Sequence, residues 1–209
     1  MKGSSGLLDV SMLKPLADLL RAMRDRLSDS QSNLKPLAAR VIGLVLFAVE
    51  GEAQGKLGKL VYGPIMNAAM NDKRKVMNDA AVEALKKGIS IPEIKGEGLN
   101  EHSLEMFVVA LTGELNGSEF KSVGMAGILT LTTSFASKLP NLEKISSQRG
   151  ETVGGRFAKV LVNALSSSKA DIRSAAEALL SECISNNVFS MQSAKKCMGK
   201  MVPAKQRSV

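Results

Sequence analysis

Two glycine-rich stretches of this sequence contain residue types that can bind phosphate groups. The first, Gly55 to Lys59, reads Gly-Lys-Leu-Gly-Lys. It lacks the final hydroxyl residue of the phosphate-loop pattern, and no strand precedes it. The second, Gly150 to Gly155, lacks the strand–turn–helix context of a dinucleotide-binding fingerprint. We therefore expect no nucleotide site, and we interpret the second stretch as a turn before a helix.

Side chains for metal or nucleophilic chemistry are also few. His102 is the only histidine, so a multi-histidine metal site is excluded, and its neighbours Glu101 and Ser103 cannot face it on one helix. The two cysteines, Cys183 and Cys197, have no metal-ligand or disulfide pattern. The sequence thus predicts no catalytic residue, metal or cofactor, and we expect a protein that is not an enzyme.

A more informative feature is a polar loop that recurs between apolar residues. The loops span residues 27–34, 70–77, 115–123 and 165–172, and each is followed by an apolar stripe at helical spacing. The closing residues Leu34, Met77, Val123 and Ile172 lie 43, 46 and 49 residues apart. A period in the forties with two helices per unit is typical of HEAT and armadillo solenoids.

Each stripe predicts which face of the second helix in a repeat is buried. The expected positions lie 3, 4, 7, 8, 11 and 12 residues after the closing apolar residue. From Leu34 they are Leu37, Ala38, Val41, Ile42, Val45 and Leu46; from Met77, Ala80, Ala81, Ala84, Leu85, Gly88 and Ile89; from Val123, Ala126, Gly127, Thr130, Leu131, Ser134 and Phe135; from Ile172, Ala175, Ala176, Leu179, Leu180, Cys183 and Ile184.

The sequence therefore predicts an all-α fold, a HEAT-repeat α-solenoid of about four to five helical hairpins with a C-terminal capping helix. Residues 12–200 form one repeat domain, preceded by a flexible N-terminus or cloning remnant at 1–11 and followed by a disordered tail at 201–209. Residues 89–100 contain Pro92, Gly96 and Gly98 and are expected to be an irregular connector. Expected helices span about residues 12–28, 34–50, 54–70, 75–87, 101–115, 120–138, 152–165, 171–185 and 190–199.

The composition limits the environment and the partners. The chain has 44% hydrophobic residues, no apolar run long enough to span a membrane, and no signal-peptide core, so we expect a cytoplasmic protein. Its net charge of +8 indicates an acidic partner, which can be a protein surface, a nucleic acid or an anionic lipid.

The loops are the best candidates for partner contacts, because turns within stacked hairpins emerge on one edge of a solenoid. Several loop residues are basic, and the helix N-termini behind them add partial positive charge that favours carboxylates. The alternative is that Asp, Asn, Ser and Lys are only what turns and caps require. The candidate contact residues are Asp29, Ser30, Gln31, Asn33, Asp72, Lys73, Arg74, Lys75, Ser118, Lys121, Ser168, Lys169 and Arg173.

At this point the sequence resembles a known family. Residues 157–179 look like a HEAT repeat, with Asp171 and Arg173 at the loop positions. The order of the pieces resembles a later TOG domain of the microtubule-polymerase family that includes Minispindles and ch-TOG. The stretches that carry this resemblance are residues 42–85, 135–142 and 195–200.

The resemblance implies a flat paddle whose loops grip αβ-tubulin and support microtubule growth. It implies a monomeric domain of a larger multi-TOG protein, at microtubules, spindle or centrosome, with the candidate loop residues as tubulin contacts. Two features depart from the family: the chain has no Trp, whereas family members usually carry one in the first loop, and it starts about one repeat late.

Two other functions remain open from the sequence. One is a HEAT scaffold that binds a different acidic protein. The other is nucleic-acid binding, which one Tyr and six Phe disfavour because few aromatic rings are present for base stacking.

Overall fold

The computed structural model describes residues 12–49, 51–93, 96–115, 124–145 and 152–198. In this structure the apolar stripes lie on helices that pack in pairs. The predicted N-terminal segment, the loop at 116–123 and the C-terminal tail lie outside the described residues. The helices of the described part are α1 (Leu13–Arg26), α2 (Leu34–Phe47), α3 (Gly51–Asn71), α4 (Lys75–Ile89), α5 (Glu101–Leu115), α6 (Gly124–Ser134), α7 (Val153–Ala164), α8 (Ala170–Ser185) and α9 (Met191–Met198).

The chain divides into two compact units, Met1–Ala110 and Leu111–Val209. In the first unit, α1 packs on α2 and α3, while α2 packs on α4. The first helix of one hairpin thus contacts the first helix of the next, and the second contacts the second. This layering is the arrangement of a helical repeat, in which each hairpin covers its neighbour.

The second unit repeats the same pairing. Helix α6 packs on α8, α7 packs on both α8 and α9, and two short 3₁₀ helices, Ala136–Lys138 and Leu142–Lys144, connect α6 to α7. Glu143 accepts hydrogen bonds from the Ser190 backbone and hydroxyl, and from the Ser193 hydroxyl. These hydrogen bonds hold the start of α9, the expected capping helix, against the Leu142–Lys144 helix.

The expected all-α class is confirmed, but the connector at 89–100 is not irregular. Strands β1 (Ser90–Glu93) and β2 (Gly96–Leu99) form an antiparallel pair, with Ser90 opposite Leu99 and Glu93 opposite Gly96. The pairing could not be predicted from the sequence, because a strand of four residues is too short to show an alternating pattern.

The stripes of α4 and α8 are buried largely as expected, whereas the buried faces of α2 and α6 differ from the predicted ones. In α2, Leu37 and Val41 are 53% and 37% exposed, and the buried face instead contains Ala38, Ala39, Ile42, Gly43 and Leu46. In α6 the stripe is displaced along the helix: Thr130 and Ser134 are exposed, and Met125, Ile128, Leu129 and Thr132 are buried. Both helices are apolar on several sides, so periodicity alone could not orient them.

Candidate functional site

The first loop, residues 28–33, is shaped by the carboxylate of Asp29. The Asp29 carboxylate accepts a hydrogen bond from the backbone N–H of Gln31 at 2.9 Å and pairs with the guanidinium of Arg26 at 2.8 Å. The Gln31 bond, followed by Arg26, lowers the pKa of Asp29. The Asp29 side chain is only 15% exposed, so it mainly holds the turn, while Ser30, Gln31 and Asn33 are exposed.

The second loop, residues 72–74, has the same construction. The Asp72 carboxylate accepts from the backbone N–H of Arg74 at 2.9 Å and pairs with the Arg74 guanidinium at 2.6 Å. The Arg74 side chain is the main reason that the pKa of Asp72 falls to about 2. Arg74 is therefore a neutralised cation, and the basic character of this loop comes from Lys73 and Lys75.

These two loops lie side by side at one end of the packed pair α2 and α4. Lys35, in the first turn of α2, acts electrostatically on both Asp29 and Asp72. Lys35 is not among the predicted contact residues, because those of the first loop end at Asn33. Its position in the first helical turn, directly after the loop, was the signal that could have identified it.

Three lysines at this loop end carry the positive charge. Lys73 and Lys75 are exposed and Lys35 is half-buried. Among the described residues, none forms a salt bridge with Lys73 or Lys75. Val76, next to Lys75, is 58% exposed, so the cations adjoin an apolar side chain. We call Lys35, Lys73, Lys75 and Val76 the basic loop end.

The helix N-termini behind these loops have no side-chain cap. Asn33 occupies the N-cap position of α2, but its side chain makes no capping hydrogen bond. Arg74 precedes α4 without a cap as well. By contrast, Thr152 caps α7 by accepting from the backbone N–H of Gly155 at 3.1 Å. In α2, however, the Leu34 N–H donates to the Gln31 carbonyl at 3.0 Å and Pro36 has no N–H, so the N-terminus of α2 attracts an anion mainly through its helix dipole.

The fourth loop lies in the second unit and uses a hydroxyl in place of a carboxylate. The Ser167 hydroxyl accepts from the backbone N–H of Lys169 at 3.3 Å, and Arg173 donates to the Ser167 carbonyl at 2.9 Å. Ser168 is exposed and Lys169 is half-buried. The third loop, with Ser118 and Lys121, lies outside the described residues, so the alignment of all four loops stays a prediction.

The glycines of the stretch considered for phosphate binding, Gly55 to Lys59, have a structural role. Gly55 and Gly58 lie inside α3, where a side chain would meet His102 and the ring of Tyr62. His102 is exposed at the start of α5. Within the described ranges, no group of His, Cys, Asp and Glu has the geometry of a metal site. None of the described helices is long and apolar enough to cross a membrane.

No family model and no curated protein matches the chain. A designed armadillo repeat protein is a structural neighbour at 14% sequence identity, with a TM-score of 0.37 over 83% of this chain and 92% of that one. The packing of its own helices makes this chain an all-α helical repeat.

Proposed function

We propose that this chain is a non-enzymatic binding module that holds an acidic protein surface against the basic loop end, with αβ-tubulin as the partner. The observation that carries the proposal is the convergence of Lys35, Lys73 and Lys75 at two adjoining, uncapped helix N-termini. In this role the module works in the cytoplasm, at microtubules.

The geometry supports recognition of carboxylates in particular. Asp29 and Asp72 are held by Arg26 and Arg74, so the acidic side chains of the loops do not neutralise the exposed lysines. Lysine ammonium groups form charge-assisted hydrogen bonds with acidic side chains, and the positive ends of the α2 and α4 helix dipoles favour the same groups. The choice of tubulin among acidic proteins rests on the TOG resemblance of the sequence.

A protein partner fits this surface better than a nucleic acid. In the described part of the chain every aromatic ring is buried except that of Phe47, which is half-buried. Base stacking on exposed rings supplies much of single-strand affinity, and such rings are missing from the described surface. The exposed Val76 beside Lys75 instead suits the mixed apolar and charged character of a protein interface.

The test is fluorescence anisotropy of labelled tubulin titrated with the wild-type chain and with the double variant Lys73→Glu/Lys75→Glu. We expect the variant to bind at least about tenfold more weakly, since two close charge contacts are reversed. The matched control is Lys195→Glu/Lys196→Glu, which makes the same change of charge on exposed residues of α9.

The outcomes separate the site from the partner. Equal weakening by both double variants would show that net charge, and not the basic loop end, governs binding. If wild-type chain binds no tubulin even at low salt, tubulin is the wrong partner. Steeply salt-dependent binding of single-stranded DNA in place of tubulin would establish the nucleic-acid alternative.

A further inference from the structure

The three described loops between paired helices are built in one register. Each has a side-chain acceptor five residues before its closing apolar residue: Asp29 before Leu34, Asp72 before Met77 and Ser167 before Ile172. In every loop this acceptor binds the backbone N–H two residues later, at 2.9, 2.9 and 3.3 Å. Asp and Ser are residue types that form such turns with the backbone next to them. We call this acceptor the turn residue of its loop.

In the first two loops a second hydrogen bond holds the residue that the turn residue binds. The backbone N–H of Leu34 donates to the carbonyl of Gln31 at 3.0 Å, and that of Met77 donates to the carbonyl of Arg74 at 3.1 Å. Gln31 and Arg74 are thus held at both the N–H and the carbonyl. These bonds order the backbone on either side of them, so the flanking side chains leave the loop at set positions.

Three positions of each loop are available to a partner. The residues four, two and one positions before the closing residue are exposed in all three loops. They are Ser30, Ser32 and Asn33 in the first loop, Lys73, Lys75 and Val76 in the second, and Ser168, Ala170 and Asp171 in the fourth. We call these the outward positions. The turn is therefore the same in each loop, whereas the outward residues are neutral in the first loop, basic in the second and acidic in the fourth.

We infer, on the basis of the proposed function, that the outward positions determine which partner chemistry each loop selects, and that the turn residue is a positioning residue for them. The second loop selects carboxylates, because two of its outward residues are lysines. The first loop offers neutral hydrogen-bonding groups, and Asp171 makes the fourth loop unfavourable for an acidic group. Ser32 thereby joins the specificity-determining residues, although it is not among the predicted contact residues.

Asp72 also decides which cations of the second loop face a partner. Its carboxylate pairs with the Arg74 guanidinium at 2.6 Å, so the half-buried Arg74 is directed back to its own loop. Lys73 and Lys75, on either side of Arg74, remain the cations at outward positions. An ordered loop with fixed lysines loses less conformational entropy on binding than a free loop does.

Because the register is shared, the selectivity of one loop should be transferable to another. The probe is a fluorescein-labelled oligoglutamate peptide, titrated with the full chain and followed by fluorescence anisotropy. Lys73→Ser/Lys75→Ser should weaken its binding by about tenfold. Adding Ser30→Lys/Ser32→Lys to that variant should restore binding to within about threefold of wild type, since equivalent outward positions of the adjoining loop then carry the lysines.

A matched control adds Ser181→Lys/Ser185→Lys to the same double-serine background. Both serines are exposed on α8, so the net charge and the residue types change equally, but neither occupies an outward position. The control should recover much less affinity than the first-loop variant does. Circular dichroism of each variant verifies the helical fold.

Two variants of Asp72 test its positioning role separately from its charge. Asp72→Asn keeps a side-chain oxygen for the Arg74 N–H, whereas Asp72→Ala removes it, and both release the Arg74 guanidinium. A purely electrostatic role predicts the same affinity for both variants. We expect Asp72→Asn to bind the peptide at least about threefold more tightly than Asp72→Ala, because only the former keeps the lysines ordered.

Equal recovery by the first-loop variant and the α8 control would overturn the outward positions as determinants of selectivity. Equal affinity of the two Asp72 variants would overturn the positioning role. Either result leaves the proposed function intact. That function is overturned, and the selectivity of the second loop with it, if Lys73→Ser/Lys75→Ser binds both tubulin and the peptide as tightly as wild type does, or if the wild-type chain binds neither.

Discussion

Tyr62 shows how one side chain organises the first unit. It is the only tyrosine of the chain, it is fully buried, and its ring meets Phe107 edge to face with centroids 5.9 Å apart. Its hydroxyl donates to the Gly88 carbonyl at 2.6 Å, which satisfies a polar atom inside the core. Burial raises the pKa of Tyr62 above its ordinary value of 10.0, because the phenolate would lose its hydration.

This environment makes Tyr62 an internal probe of unfolding at high pH. A raised pKa means that the folded chain keeps its proton where the unfolded chain releases it, so stability is unaffected below pH 10 and falls as pH rises above it. We expect the tyrosinate absorbance band to appear only together with loss of the helical circular dichroism signal. Ionisation near pH 10 with the helical signal intact would contradict the burial of this ring.

At the scale of the elements, the packing of α2 on α4 depends on a residue without a side chain. Gly43 is buried, and a Cβ there would meet the backbone and side chain of Ala84, with the Cα at 2.7 Å. Backbone atoms cannot rotate away as the end of a flexible side chain can. The two helices must therefore separate before any larger residue fits.

Gly43→Ala should destabilise the chain by about 1–3 kcal/mol, despite the better helix propensity of Ala. Gly113→Ala is a matched control, because Gly113 lies in α5 with no atom within 4 Å of the added Cβ. That control should instead gain up to about 1 kcal/mol. Urea unfolding followed by circular dichroism measures both. A neutral Gly43→Ala would show that α2 and α4 tolerate a wider separation.

The helices also show where periodicity was sufficient. In α4 and α8 one side is polar, so the apolar stripe could only be the buried side. Helix α2 is apolar nearly all round, and the choice between its two apolar sides was decided by contact with α4. Leu37 and Val41 were predicted to be buried for this reason, and both are exposed in the structure.

For the molecule as a whole, net charge and its placement have different consequences. A charge of +8 attracts acidic molecules at long range, whereas the proposed function places the docking of an acidic partner at the basic loop end. The paired residues Arg26 with Asp29 and Arg74 with Asp72 contribute little to this field. Lys73 and Lys75, which form no salt bridge with any described residue, contribute most at this end.

Association with an acidic partner should therefore be fast and sensitive to salt. We expect the association rate constant to fall by about tenfold or more between low and physiological salt, while the dissociation rate constant changes much less. Stopped-flow mixing of labelled partner with the wild-type chain measures both rates. A dissociation rate that carries most of the salt effect would indicate tightly buried ion pairs in place of steering.

The sequence by itself determined the helical repeats, because a 3.6-residue apolar period and polar loops about 45 residues apart have few other physical solutions. It also located the candidate loops, since turns require polar residues and caps. The folded loop decided that Arg74 pairs with Asp72, two residues away, and tertiary packing of α2 on α4 decided that Lys35 acts on both Asp29 and Asp72, because both effects depend on distances in space. It likewise decided which apolar side of α2 is buried, since both sides satisfy the same periodicity and only one finds a neighbouring helix.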